Sequence, residues 1–481
     1  MQPVPAPDPR RWKALAVLGV AYLMVVLDIS IVNVALPEIQ SDLDFSLENL
    51  QWVVSGYALT FGGFLLLGGR SGDLLGRRNV FMAGLALFVV FSFLCGLATS
   101  PGMLIAFRVL QGVAGAVLSP SVFSIASVTF QEGAERNKAL GVLGAIAGSG
   151  AAIGVMAGGI LTQYAGWEWI FFVNIPIGLG ALLLVPRFVR ESRAEGLTRH
   201  FDAAGAVTVT ASLMLFVYGL TESTNAGWSS ARTIGVLLAS AVLMAVFLVI
   251  EARSTSPLVP LGIFRRRTLT GANTIGFILG TMLFGMFFLL SLYMQEVLGF
   301  SPIERGVGYL AVALTAVVAS GVAQALVTRV GVKPALTFGM LLLGAGLVTF
   351  TQISVDGSYA ADLLPGFLLI GVGLGFSFVP VSIAALAGVS GREAGLASGL
   401  INTSQQIGGA LGLAILTTVA TTRRNGLVDD GIEPVRAMTD GFALAFWVGA
   451  AFAVVAVVAT LVLLKREELR RLEAEPAVHA G

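Results

Sequence analysis

The chain has 481 residues, of which 56% are hydrophobic and only 12% charged, with a net charge of +1 and a mean hydropathy of +0.87. A water-soluble domain carries roughly 25% charged residues, so the composition excludes a soluble globule and asks for a lipid solvent. The net charge says nothing about nucleic acid and no basic tract supports such a partner, so none is expected, and a single cysteine, Cys95, excludes a disulfide framework or a cysteine-rich metal site.

Arg11, Trp12 and Lys13 precede a first apolar run over 14–36. About 22 residues at 1.5 Å each cross a hydrocarbon core of about 30 Å. The run lacks the short core and small-residue cleavage site of a signal peptide, so an uncleaved first span is expected. Lipid offers no partner for free backbone groups, which makes helices the expected element. Thirteen further apolar runs follow, at 49–69, 79–98, 102–126, 137–162, 168–187, 202–221, 233–250, 269–295, 303–327, 335–352, 361–384, 395–421 and 441–464. An even count puts both termini on one side. Of the 29 lysines and arginines, 23 fall in segments on the N-terminal side, five on the other, and Arg108 lies within a span. The positive-inside rule then places both termini in the cytoplasm and the chain, multi-pass, in the cytoplasmic (inner) membrane.

The first span holds Asp28 in Val25-Val26-Leu27-Asp28-Ile29-Ser30-Ile31-Val32-Asn33. A charge near mid-membrane is unfavourable by about 2.5–3.5 kcal/mol on insertion scales, so Asp28 is a functional candidate; the plainer reading is a paired structural acid. After the second span comes Gly69-Arg70-Ser71-Gly72-Asp73-Leu74-Leu75-Gly76-Arg77-Arg78, expected as a polar loop. Asp73 is expected to accept hydrogen bonds from a neighbouring helix terminus or an arginine. Such a cluster can form in one conformation and break in another.

Arg108 stands in the fourth span, followed by Gln111 and Gly112. Guanidinium keeps its proton and must find an acceptor. Counted from the helix ends, Asp28 and Arg108 both sit roughly 9–12 Å below the outer surface, at comparable depth for one site. Burial favours the neutral acid and a nearby arginine the ionised one, so alternation between those surroundings would load and release a proton. The two histidines, His200 and His479, lie outside the apolar runs, which leaves proton work to carboxylates. A static pair joining two helices is the competing reading.

The fifth span is glycine-rich, with Gly141, Gly150, Gly154, Gly158 and Gly159. Small residues let helices approach closely in lipid, as a pivot or as plain packing. After the tenth span, Gly331-Val332-Lys333 echoes Gly76-Arg77-Arg78, a faint sign of the internal duplication common in transporters. The organisation expected is a six-helix bundle over 1–190, two extra helices within 191–265, a second six-helix bundle over 266–466 and a cytoplasmic tail over 467–481. Polar and soft side chains in the spans, Asn33, Tyr57, Gln111, Asn273, Phe287, Asn402 and Gln405, are candidates for a substrate cavity; adaptable side chains suit loose recognition of apolar ligands.

These stretches resemble the major facilitator superfamily, specifically its fourteen-helix drug:proton antiporter branch (EmrB/QacA type). The resemblance rests on Leu27-Asp28…Asn33-Val34-Ala35-Leu36-Pro37, on Gly69…Asp73…Gly76-Arg77-Arg78, on Arg108…Gln111-Gly112 and on Gly166-Trp167-Glu168-Trp169…Asn174-Ile175-Pro176-Ile177-Gly178. It implies an all-α membrane protein of two six-helix bundles plus two intervening helices, a central cavity and alternating access. It also implies export of small hydrophobic or monocationic drugs against inward proton flow, with Asp28 and Arg108 in the coupling roles. No cofactor is expected, the proton gradient being the energy source, and the chain is expected to act as a monomer. Two departures stand out. Val155 follows Gly154 where the family has proline, and Glu168 stands where the branch has arginine. The tenth span also lacks a deep carboxylate, which argues against dications.

A dedicated exporter of an endogenous metabolite, antibiotic or lipid is the alternative on the same fold. A membrane-embedded enzyme is disfavoured because the spans hold neither a metal-ligand set nor a nucleophile–base pair. A channel is disfavoured by the acid–arginine pair and the repeated loop.

Overall fold

The apolar runs become helices, and the polar breaks between them supply the caps. The structure, a computed structural model, describes residues 9–45, 47–131, 134–193, 202–254, 257, 259, 261–387, 389 and 394–464. Certain side chains within helices, those of Asn33 and Pro37 among them, lie outside the description, as does Arg392. Fifteen α-helices and no strand are found among the described residues: α1 Arg11–Asp42, α2 Leu47–Leu75, α3 Arg77–Gly96, α4 Pro101–Thr129, α5 Ala134–Ala165, α6 Trp169–Phe172, α7 Asn174–Phe188, α8 Ala203–Ala226, α9 Ala231–Arg253, α10 Arg267–Leu292, α11 Pro302–Val330, α12 Val332–Phe350, α13 Leu364–Leu386, α14 Ala394–Asp429 and α15 Pro434–Leu463. Eleven helical segments are long and apolar enough to cross a membrane. The amide- and hydroxyl-rich α14 falls outside that set, where the run Asn402-Thr403-Ser404-Gln405-Gln406 lowers the hydropathy.

Local chemistry sets the ends. Ser100, Asp202 and Ser230 each accept a hydrogen bond from a first-turn N–H of α4, α8 and α9. Ser301 and Glu304 form a reciprocal capping box before α11, with Pro302 at the first helical position. Gly76, between α2 and α3, and Gly331, between α11 and α12, both take positive φ, +112° and +88°. A side chain there would be strained, so the two echoing sequence segments share a backbone device as well.

Two expectations change. The stretch from Gly69 is not a loop: α2 continues to Leu75, and Gly76 alone breaks the helix before α3. Gly72 within it faces α4, where a Cβ would lie 3.5 Å from Ser121 Oγ. The sixth run is broken into α6 and α7 at Val173. Pro176 has no N–H to offer the Phe172 carbonyl, and the Phe171 carbonyl accepts from the Ser92 hydroxyl at 2.9 Å.

In the first half α1 packs on α5, α2 on α4, and α3 on α4 and α7; in the second α10 packs on α14, α11 on α13, and α12 on α13 and α15. Between these groups α5 lies along α11 and α13, and α2 along α14. Helices α8 and α9 form a hairpin fixed by reciprocal bonds, Ser212 Oγ to the Ser240 carbonyl at 2.9 Å and Ser240 Oγ to the Ser212 carbonyl at 2.8 Å. The hairpin is more than an appendage, because α8 touches both α2 and α14.

The described chain starts and ends on one face. Arg11 pairs with Glu135 at 2.6 Å, Arg136 donates to the Leu386 carbonyl at 3.4 Å, and Lys333 donates to the Leu461 carbonyl at 2.6 Å. These contacts gather the starts of α1, α5 and α12 with the ends of α13 and α15. We call this the termini face.

Candidate functional site

Asp28 sits midway along α1 with no exposed surface, and Arg108 on α4 is 1% exposed. Arg108 Nη1 donates to Asp28 Oδ2 at 2.5 Å. The other carboxylate oxygen, Oδ1, accepts from Gln111 Nε2 at 3.0 Å and from Asn174 Nδ2 at 2.9 Å. Arg108 Nη1 also reaches Gln111 Oε1 at 2.8 Å, and Nε donates to the Val53 carbonyl of α2 at 3.0 Å. The guanidinium carbon lies 4.3 Å from the Tyr57 ring centroid and 5.6 Å from that of Phe171. Aromatic faces attract a desolvated cation. The buried ion pair is thus enclosed by α1, α2, α4 and the α6–α7 segment, with both carboxylate oxygens accepting, the arrangement a paired buried charge requires.

The sequence placed Asp28 and Arg108 at one depth, and the structure joins them. Gln111 and Tyr57, expected on a cavity wall, are 0% and 2% exposed and belong to the shell of this pair. Asn174 and Ser92 were missed. Asn174 Nδ2 bonds Ser92 Oγ at 2.9 Å as well as Asp28. The one available signal was an asparagine beside Pro176 in an otherwise apolar span.

A second buried charge lies at the termini face. Asp73 Oδ1 accepts from Arg77 Nη2 at 2.8 Å, Arg77 Nε at 3.1 Å and Ser124 Oγ at 3.4 Å. Asp73 Oδ2 is buried without a hydrogen bond, and the Leu396 backbone N–H, in the first turn of α14, acts on the carboxylate. Both kinds of expected partner, an arginine and the positive end of a helix, are therefore present. Gly69 is buried, and a Cβ on Gly399 of α14 would lie 3.8 Å from its Cα. Arg70 donates to the Pro257 carbonyl at 3.4 Å. Arg78 Nε stands 3.9 Å from Glu191 Oε2. Glu191, which the sequence reading passed over, accepts from the Arg78 and Asn79 backbone N–H groups at 3.2 and 3.1 Å and so caps α3.

The glycines of α5 divide by face. A Cβ on Gly150, Gly154 or Gly158 would strike Val26, Ser30 or the Ile31 carbonyl of α1, while Gly141 faces Gln324 of α11 and Val379 of α13. Gly159 is buried. One helix thus holds α1 with one edge and the second half with another.

A narrow cleft lies between the halves, lined among others by Tyr22, Phe123, Ser382, Ser398, Asn402 and Gln405. Its described lining offers rings, hydroxyls and amides and no charged group. Asn402 and Gln405 are among the lining residues. Asn273 instead links helices, accepting from Ser404 Oγ at 2.9 Å and donating to the Leu269 carbonyl. Phe287 packs at 5.5 Å on the Tyr309 ring, outside this lining.

A bundle of apolar helices in two packed groups, with buried charges at the interior and at one face, defines a membrane transporter. The chain belongs to the Major Facilitator Superfamily, which residues 18–413 match. It is a transporter and not an enzyme. Among its relatives, the puromycin resistance protein of Streptomyces alboniger is 39% identical over 95% of this chain and 91% of that one. The cephamycin export protein of Amycolatopsis lactamdurans is 37% identical, covering 86% of each. The tetracenomycin C resistance and export protein of Streptomyces glaucescens is 35% identical over 88% of this chain and 78% of that one. A crystal structure of the human organic anion transporter MFSD10 shares the fold, with a TM-score of 0.65 at 17% identity, covering 93% of this chain and all of that one.

Proposed function

We propose that the protein exports small, largely apolar antibiotics or similar toxins by alternating access, driven by protons entering through Asp28. The printed functions of the relatives, resistance and export, support the export, and the uncharged cavity supports a neutral or singly charged cargo. The observation that carries the coupling is the Asp28–Arg108 pair, sealed from water and held by Gln111 and Asn174. A rocking motion that pulls α1 from α4 would strip Arg108 from the acid and open it to a proton.

We further read fourteen spans, in the drug:proton antiporter branch: the eleven long apolar segments plus α5, α8 and α14. The two bundles comprise α1–α7 and α10–α15, and the termini face is cytoplasmic. Asp73, Gly76, Arg77 and Arg78 act as a latch on α14, stabilising the conformation closed on that face. The protein works as a monomer, without a cofactor. Two of the relatives carry a single compound's export in their names, which favours a second reading, a dedicated exporter of one such product.

The test is efflux from proteoliposomes under an imposed pH gradient. Asp28→Asn retains the shape of the neutral acid and cannot release a proton. Uphill export should fall to background while substrate binding persists. Uphill export by Asp28→Asn at the wild-type rate would refute the coupling role.

A further inference from the structure

The α8–α9 hairpin makes unequal attachments to the two halves. Its bond to the first half is extensive. A Cβ on Gly63 of α2 would lie 2.6 Å from Met214 Cγ and 3.5 Å from the Thr210 carbonyl oxygen, so α8 is seated in a groove on α2. Near the face opposite the termini, the Tyr218 ring stacks on Trp52 of α2, centroids 5.7 Å apart and planes inclined 24°. Arg232 donates to the Tyr218 hydroxyl at 2.6 Å and pairs with Glu222 at 3.0 Å, joining α9 to α8 at the same end. The reciprocal Ser212–Ser240 bonds join the two helices of the hairpin to each other, and α8 joins them to α2.

Its packing on α14 is lighter than on α2, and among the described residues its polar tie to the second half is a single bond. Trp228, in the turn between α8 and α9, donates from Nε1 to Thr418 Oγ1 of α14 at 3.0 Å. Thr418 in turn donates to the Ala414 carbonyl at 2.7 Å, so its hydroxyl is used in both senses. Thr418 lies 24 residues along α14 from its start, about 36 Å from the termini face.

We propose that the α8–α9 hairpin is a strap across the α2–α14 seam, and that the Trp228–Thr418 bond is the tie that parts whenever the face opposite the termini opens. Separation of α2 from α14 at that face carries the hairpin away with α2, because a close-packed groove and a stacked ring pair hold better than one exposed hydrogen bond. The tie therefore biases the transporter toward the conformation closed on that face. A tie of one hydrogen bond shifts such an equilibrium by roughly threefold to tenfold, enough to set the resting population without blocking the cycle.

The experiment uses the full-length protein in proteoliposomes, in a Cys95→Ser background. Trp228→Cys and Thr418→Cys are combined and bridged with a short bifunctional methanethiosulfonate. Bridging should reduce transport at least tenfold, and a reductant should restore it, while each single cysteine treated with the same reagent keeps its rate. Transport by the bridged protein at the unbridged rate would overturn the proposal. A second measurement is independent of transport. A reporter cysteine at Gln405 is labelled by a membrane-impermeant thiol reagent from the opposite face, with and without Trp228→Phe, which keeps the ring and removes the donor. Labelling should accelerate roughly threefold to tenfold; unchanged labelling would show that the bond restrains nothing.

Discussion

The side-chain amide of Asn174, at the first residue of α7, hydrogen-bonds Asp28 on α1 at 2.9 Å and Ser92 on α3 at 2.9 Å. Three helices thus meet on one nitrogen, beside a helix break that Pro176 imposes. Asn174→Leu keeps much of the volume and removes both donors. It should lower uphill export at least tenfold while the protein still extracts as a monodisperse species. Wild-type export by that variant would mean that Arg108 and Gln111 suffice to hold the carboxylate.

Arg108 uses Nε on the Val53 carbonyl and Nη1 on Asp28 and Gln111, and offers its flat face to Tyr57. Arg108→Lys retains the charge and loses the fork and the stacking plane. Loss of hydrogen bonds to a charged group is worth about 1.5–3 kcal/mol each. Export should therefore fall by one to two orders of magnitude, more than the change in expression or thermal stability. Equal export by the lysine variant would reduce the role of this arginine to bulk charge.

A Cβ on Gly154 would lie 2.0 Å from Ser30 Oγ and 3.0 Å from the Leu27 carbonyl oxygen of α1. Gly154→Ala should destabilise the protein by about 1–3 kcal/mol, the range for overpacking. Ser30→Ala removes the nearer atom, so the double variant should recover part of the loss. Thermal unfolding of the four combinations measures the coupling. Simple additivity would contradict the contact.

Asp73 stands between Arg77 of α3 and the first turn of α14. Asp73→Asn preserves size and removes the charge that both partners answer. The conformation closed on the termini face should lose population, slowing turnover severalfold with little change in the substrate concentration for half-maximal rate. A variant with normal turnover and weakened binding would place Asp73 in recognition instead.

How much of this was legible in the sequence depends on range. The helices, and the depth shared by Asp28 and Arg108, follow from apolar run lengths and a 1.5 Å rise, both local properties. So does the glycine stripe of α5, although which helix each glycine meets is not local. The roles of Asn174 and Ser92 were missed for that reason: the partners of Asn174 lie 146 and 82 residues away along the chain, and neither residue carries a charge. Tyr57 and Gln111 were assigned to a cavity because a polar group in a span has two possible fates, facing a void or satisfying a charge, and composition does not separate them. The continuation of α2 through Asp73 was missed because glycines and charges read as a loop, whereas close packing on α4 and the Asp73–Arg77 pair keep it helical.

The length of α14 has a consequence for how the protein sits in lipid. Its 36 residues run about 54 Å, against a hydrocarbon core of about 30 Å. The helix is therefore a ruler longer than the bilayer is thick. Its final turns are exposed and carry Arg423 and Arg424, while its first turn meets Asp73 at the other end. A mismatch with a thinner or thicker membrane is then met by tilt of this helix or by deformation of the surrounding lipid.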